Sequence, residues 1–164
     1  MKTSFKIFLG LISLLMVSAC ATGKIRIPEK YSLDTQLEQV ASIYKYGISD
    51  WEEVDRQSLI LERGPGEYYL LVLKIPAPEL PFRNRIKLTS TGPMIRAGLD
   101  DLIIFNAGHM KSSYPIERIY KIKGSEQMRK IRDQLIAGTP AGETDNKTVI
   151  PLNPGLNRGN SVEI

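Results

Sequence analysis

One cysteine, one histidine and one tryptophan occur in the 164 residues. A lone cysteine forms no internal disulfide, and without a second one a cysteine-built structural zinc site is excluded. A lone histidine, His109, leaves one side chain whose ordinary pKa lies near neutrality. No Gly-x-Ser-x-Gly elbow is present, so the usual turn that presents a nucleophilic serine is missing. No apolar run reaches the roughly 20 residues that a membrane-spanning helix needs. Neither sign of charge dominates: 22 Lys and Arg stand against 18 Asp and Glu.

The place of the one cysteine matters more than its rarity. Met1 to Lys6 is a short basic lead, Ile7 to Met16 is almost wholly apolar, and Val17-Ser18-Ala19-Cys20 follows. A basic region, an apolar core, small residues and then a thiol are the parts of a bacterial lipoprotein signal. The thiolate is the soft nucleophile that takes up a diacylglycerol. A plain secretory signal or an uncleaved anchor would also accept the first three parts, but would leave the cysteine's position an accident. The expectation is therefore cleavage before Cys20, lipidation of Cys20 with acyl chains such as palmitate, and a firm anchor from more than one chain. Ala21, not Asp, follows Cys20. By the sorting rule of enteric bacteria this sends the protein to the inner leaflet of the outer membrane, facing the periplasm. Lys2 and Lys6 leave with the signal and the net charge falls from +4 to about +2. A pI of 9.2 would raise a nucleic-acid question in a cytosolic chain. The envelope compartment and the alternating signs argue against nucleic acid here.

Composition divides the chain into a signal (1–19), a tether (20–31), a single β-rich domain (32–136) and a Gly-, Pro- and Asn-rich tail (137–164) that is expected to be disordered or laid loosely on the surface. Within the domain, Thr35-Gln36-Leu37-Glu38 fits a capping box. Leu37, Val40 and Ile43 or Tyr44 would line one helical face, and Gly47 would end the helix. Strands are predicted from Asp50 to Val54, Ser58 to Glu62, Glu67 to Lys74, Arg85 to Thr89, Asp101 to Asn106 and Ile116 to Ile122. Gly64-Pro65-Gly66, Gly92-Pro93 and Ala107-Gly108-His109 read as turns, and Pro76, Pro78 and Pro81 force a loop. Gly124-Ser125 would cap a last helix with Met128, Ile131 and Leu135 on one face. The expected fold is α+β, mainly β: a small antiparallel curled sheet or barrel with a helix at each end of the domain.

Several features resemble an uncharacterised family, a domain of unknown function in small exported bacterial proteins. They are Trp51 with Val54-Asp55 and Leu59; Tyr69-Leu70-Leu71-Val72-Leu73 before a Pro-x-Pro loop; Asp100-Asp101 before an apolar strand; and Ile116-Glu117-Arg118-Ile119. The resemblance implies a cysteine in the proline loop and another just before the Ile-x-x-Ile strand, which would pair. This chain has Ala77 and the neighbourhood of Tyr114 at those places. The family carries no activity over to this chain, so the resemblance bears on fold and compartment.

Each chemically suggestive residue also has an ordinary structural role. His109 could act as a base with Asp100 or Asp101, but a turn between two strands is the simpler place for it. Asp100 and Asp101 are adjacent, so on a strand they point to opposite faces and do not work as a pair. Trp51, Tyr68 and Tyr69 could line a ligand cleft, or fill the core of a small sheet. Lys74, Arg83, Arg85, Lys87 and Arg96 form a loose basic zone that could meet anionic lipid or polysaccharide. The ligand-binding candidates are Trp51, Tyr69, Arg85 and His109. No catalytic residue, metal ligand or cofactor is assigned. The expected function is a lipid-anchored, non-enzymatic binding module for an envelope protein, a polysaccharide or a small ligand. A small-molecule or lipid carrier is the alternative, and an envelope hydrolase using His109 is the third reading.

Overall fold

The computed structural model describes residues 26–105, 110–138 and 161–163. Its strands are Glu38–Val40 (β1), Ser42–Tyr44 (β2), Asp50–Asp55 (β3), Ser58–Glu62 (β4), Glu67–Leu73 (β5), Arg85–Leu88 (β6), Met94–Arg96 (β7), Asp101–Phe105 (β8), Lys111–Lys123 (β9) and Ser161–Glu163 (β10), and Gly124–Ala137 is helix α1. The main sheet runs β10-β6-β8-β9-β5-β4-β3, with β1 also paired to β9, while β2 and β7 form a separate ribbon. Mainly β, strongly curled, antiparallel except at β10, the sheet is a half-barrel with one C-terminal helix.

The two most apolar strands explain the layering. Leu59 and Leu61 of β4, with Tyr69, Leu71 and Leu73 of β5, enter one buried cluster; Ile60, Leu70 and Val72 enter another. Both strands are therefore covered on both faces, which is why they read as runs of apolar residues rather than an alternation. The first cluster draws on β2 to β9 and fills the inside of the curl. The second lies outside it, under Tyr31, Leu33, Leu37 and the Ile131 and Leu135 side of α1.

β9 joins the halves of the sheet. Its first part, from Lys111 to Pro115, pairs with β8, its later part pairs with β5, and Ile119–Lys121 pairs with β1 as well. A register shift falls where Leu73 faces Ile116 and Val72 faces Arg118. The extra residue changes which face each side chain takes. Ile116 and Ile119, an odd number apart, thus share the inner core, while Tyr120 and Ile122 go outside.

The helix expected from Thr35 to Gly47 does not form. Gln36 and Leu37 both donate their N–H groups to the Leu33 carbonyl at 2.8 Å, a single turn that is not continued. The chain then extends into β1 and β2. Two forces favour strand over helix. Val40, Ile43 and Tyr44 are β-branched or aromatic, and β9 and β7 offer backbone partners. Leu37 and Ile43 also go to opposite cores, which one helical face would not allow. The final helix forms as expected, with Ile131 and Leu135 buried. Its start is held by Gln127, whose side chain accepts the Lys123 N–H at 2.7 Å. Cys20 and the signal lie outside the described residues, as does most of the tail; Ser161–Glu163 alone of that segment is described as strand.

Asp55 ties the N-terminal segment to the sheet. The Tyr31 hydroxyl reaches both of its carboxylate oxygens at 2.8 Å, and the Lys30 ammonium sits at 3.0 Å. The Gln57 N–H and the Ser58 hydroxyl donate to the same carboxylate at 2.8 and 2.9 Å. One carboxylate thereby closes the β3–β4 turn and fixes the strap that covers the outer core.

Candidate functional site

Trp51 and Tyr69 lie in one row of the sheet. Trp51 faces Leu61, Leu61 faces Tyr69, Tyr69 faces Lys121, and Lys121 faces Glu38. Directly opposed residues share a face, so the row passes from the apolar interior to a charged rim. Trp51 is 3% exposed and Tyr69 5%, so both are core residues. Arg85 is exposed at the start of β6, separated from β5 by β8 and β9 in the strand order. His109 lies outside the described residues. The structure thus brings Trp51 and Tyr69 together and leaves Arg85 apart.

Asp100 and Asp101 are used separately. Asp100 is buried and accepts the Arg96 N–H at 2.8 Å, closing the turn after β7. Asp101 accepts the Ser113 hydroxyl at 2.6 Å across the β8–β9 ladder. Of the basic zone, Lys74, Arg85 and Arg96 are exposed, and Arg83 and Lys87 are half-buried.

The main polar constellation on the rim was not singled out from the sequence. The Arg63 guanidinium grips the Glu67 carboxylate through Nη2 at 2.9 Å to both oxygens, with Nε at 3.1 Å. The Tyr69 hydroxyl donates to Glu67 Oε1 at 2.5 Å, and the Lys121 ammonium stands 4.0 Å from the same oxygen. Arg63 also lies 5.8 Å from the Tyr69 ring centre. The available signal was spacing: Arg63 and Glu67 flank the Gly64-Pro65-Gly66 turn, and Glu67 and Tyr69 share a strand face. Burial, followed by the bond to Glu67, pushes the Tyr69 hydroxyl up to about 12. That bond and Arg63 in turn hold Glu67 below its ordinary range, against the opposing effect of burial. At neutral pH the phenol keeps its proton and the carboxylate its charge. Neither is poised for proton transfer, and the cluster serves as a polar seal over the open end of the core.

Two other surfaces have the shape or exposure of a site. A cleft of about 110 Å³ is lined by Asp50, Trp51, Glu52, Ile60, Glu62, Tyr68 and Met128, so the candidate Trp51 borders it as well as the inner core. It is well below the ~300–1,000 Å³ of small-molecule pockets. The proline loop is more distinctive. Ala77 and Leu80 are fully buried, while Phe82, two residues on, is 66% exposed. The loop is stiffened by Leu80 N–H to Ala77, Phe82 N–H to Glu79 and Arg83 N–H to Leu80 bonds of 3.0 to 3.2 Å. It is fastened to β9 by the Tyr114 hydroxyl, which donates to Glu79 at 2.7 Å. At this junction, where the resemblance implied a pair of cysteines, a hydrogen bond makes the connection instead.

Among the described residues, no group of three or more His, Cys, Asp or Glu side chains converges as a metal site. No described helix is long and apolar enough to cross a membrane. No curated protein and no solved structure matches the chain. The features that carried the resemblance lie on or beside β3, β4, β5, β8 and β9, and a family model covers residues 1–138, from the first residue to the end of α1. The chain belongs to this family of unknown function, DUF6491.

Proposed function

We propose that the protein is a lipid-anchored component of the bacterial cell envelope whose domain binds a partner protein without catalysing a reaction. The observation that carries this reading is Phe82. A large aromatic side chain is held in solvent on a short turn whose neighbours are locked into the core. Aromatic anchors on rigid supports recur at the centres of protein interfaces, because little conformational entropy is lost on docking. The pattern ending at Cys20 supplies the anchor and the compartment for the reading.

The carrier alternative fits the interior less well. Leu59, Leu61, Leu71, Leu73, Ile86, Ile95, Leu102 and Ile104 are all 0% exposed, so side chains already fill the inside of the curl. A small barrel so filled is a packed core rather than a container. The hydrolase reading rests on His109, which lies outside the described residues, and Asp101, its carboxylate candidate, is engaged by the Ser113 hydroxyl at 2.6 Å.

Crosslinking in living cells, followed by capture of the full-length protein, tests the proposal. One stoichiometric envelope protein is expected with the wild type, falling at least tenfold with Phe82→Ala and absent with Cys20→Ser. Equal capture by wild type and Phe82→Ala would reject the proline loop as the docking surface. Recovery of the same partner with Cys20→Ser would reject the anchor.

A further inference from the structure

The main sheet leaves a seam between its end strands β3 and β6, and β10 lies in it. β10 pairs with β6 in parallel, Ser161 facing Arg85, Val162 facing Ile86 and Glu163 facing Lys87. It also lies against β3 on its other side, although among the described residues no ladder joins the two. Val162 is half-buried, faces Ile86 and packs on the inner core that also holds Trp51.

Three features set this strand apart. It is the one parallel pairing among the described strands. It is three residues long, so its main-chain bonds are few. It also comes from outside the family domain, which ends at residue 138 and already contains β1 to β9 and α1. The seam is thus a property of the domain, and the strand that fills it is supplied by a separate segment joined through residues 139–160.

We propose that the seam between β3 and β6 is a strand-acceptor slot. In the free chain it holds residues 161–163. In function it takes an extended segment of a partner protein in which an aliphatic residue precedes an acidic one. The edge of β6 provides main-chain pairing, the mode by which exposed sheet edges capture peptides. The socket over Ile86 selects the aliphatic residue, and the exposed Arg85 and half-exposed Lys87 favour negative charge beside it. Residues 161–163 belong to the same chain as the slot, so a partner segment competes with them for the edge of β6. A longer partner strand displaces them by reaching Leu88, the one β6 residue beyond the β10 register, and by laddering with β3, which β10 only contacts, whereas a second copy offers only the same three-residue strand. This site is independent of Phe82, and its test requires neither membrane nor native partner, so it stands or falls separately from the function proposed above.

The test uses the full chain without its lipid anchor, as Cys20→Ser, and a fluorescent peptide of residues 157–164. Val162→Asp in the chain empties the slot. Binding is followed by anisotropy, and the emission of Trp51 reports that the core is intact. The Val162→Asp chain is expected to bind the peptide saturably, at least tenfold more tightly than the wild-type chain does. A peptide carrying the same Val162→Asp change is expected not to bind. Should the new charge disturb the Trp51 signal, Val162→Ser in the chain gives the same reading without it. Failure of both emptied chains to bind the peptide, or equal binding of the altered peptide, would overturn the proposal. Self-association of the wild-type chain that the peptide dissolves would assign the slot to a second copy and overturn the partner assignment.

Discussion

Tyr69 donates its hydroxyl proton to Glu67, two residues earlier on the same strand face, across 2.5 Å. Arg63 reaches the same carboxylate from the far side of the turn. The arrangement seals the rim of the core and makes stability depend on pH at both extremes.

On the alkaline side the folded state holds the Tyr69 proton up to about pH 12, while an unfolded tyrosine releases it near 10.0. The unfolded state binds fewer protons in that window, so stability falls as pH rises from 10 towards 12. The loss has a ceiling of roughly 2–3 kcal/mol. On the acid side Glu67 is lowered from 4.5, so its contribution is complete above that value and is lost as pH falls through the folded pKa. Thermal unfolding of Tyr69→Phe should therefore show a deficit of about 1 kcal/mol at pH 7 that narrows by pH 11. A deficit that stays constant with pH would refute the coupling.

Asp55 receives Lys30, Tyr31, Gln57 and Ser58 together. Asp55→Ala leaves these donors without their acceptor and should cost about 2–4 kcal/mol. Lys30→Ala, which removes one partly exposed partner, should cost about 1 kcal/mol or less. Amide exchange would then accelerate through residues 27–37 in Asp55→Ala, because the strap over the outer core is released. Unchanged exchange there would show that apolar packing alone holds the strap.

Trp51 is a core residue 3% exposed. Trp51→Ala should lower stability by about 3–5 kcal/mol, as large core truncations do. Captured partner per folded molecule should not change. A selective loss of capture at full stability would restore Trp51 as a binding residue.

Gly124 opens α1 at φ +79°, with open space where a Cβ would stand. Gly124→Ala should therefore cost roughly 1–2 kcal/mol from backbone strain alone. Ser125→Ala should stay within about 0.5 kcal/mol, since the helix start is closed by Gln127 rather than by a serine cap. Denaturant titration separates the two variants.

The central strands were readable because burial on both faces leaves continuous apolar runs, Leu59–Leu61 in β4 and Leu70–Leu73 in β5. The last helix was readable because its periodic face meets a single core. The first expected helix misled because Leu37, Val40 and Ile43 mimic a helical stripe while serving different cores. β7, three residues long, carries too little pattern to be seen at all. β9 was foreseen only from Ile116 onward, since Pro115 and the register shift break its alternation. The candidate site fared worse. Trp51 and Tyr69 drew attention by residue type, whereas the Arg63–Glu67–Tyr69 cluster and the β3–β6 seam depend on how distant strands meet.

β9 also has a consequence for the order of assembly. β3, β4 and β5 can form by neighbouring hairpins, and β6 and β8 pair across a modest loop. Among the described strands no ladder joins these two groups until residues 111–123 have been made, because β9 pairs with β8 on one side of the division and with β5 on the other. A chain stopped before that point would hold two unjoined fragments with bare apolar faces. The rate-limiting step of folding should thus be the late, long-range docking of β9, and substitutions at Ile116 or Ile119 should slow refolding more than those in the early hairpins.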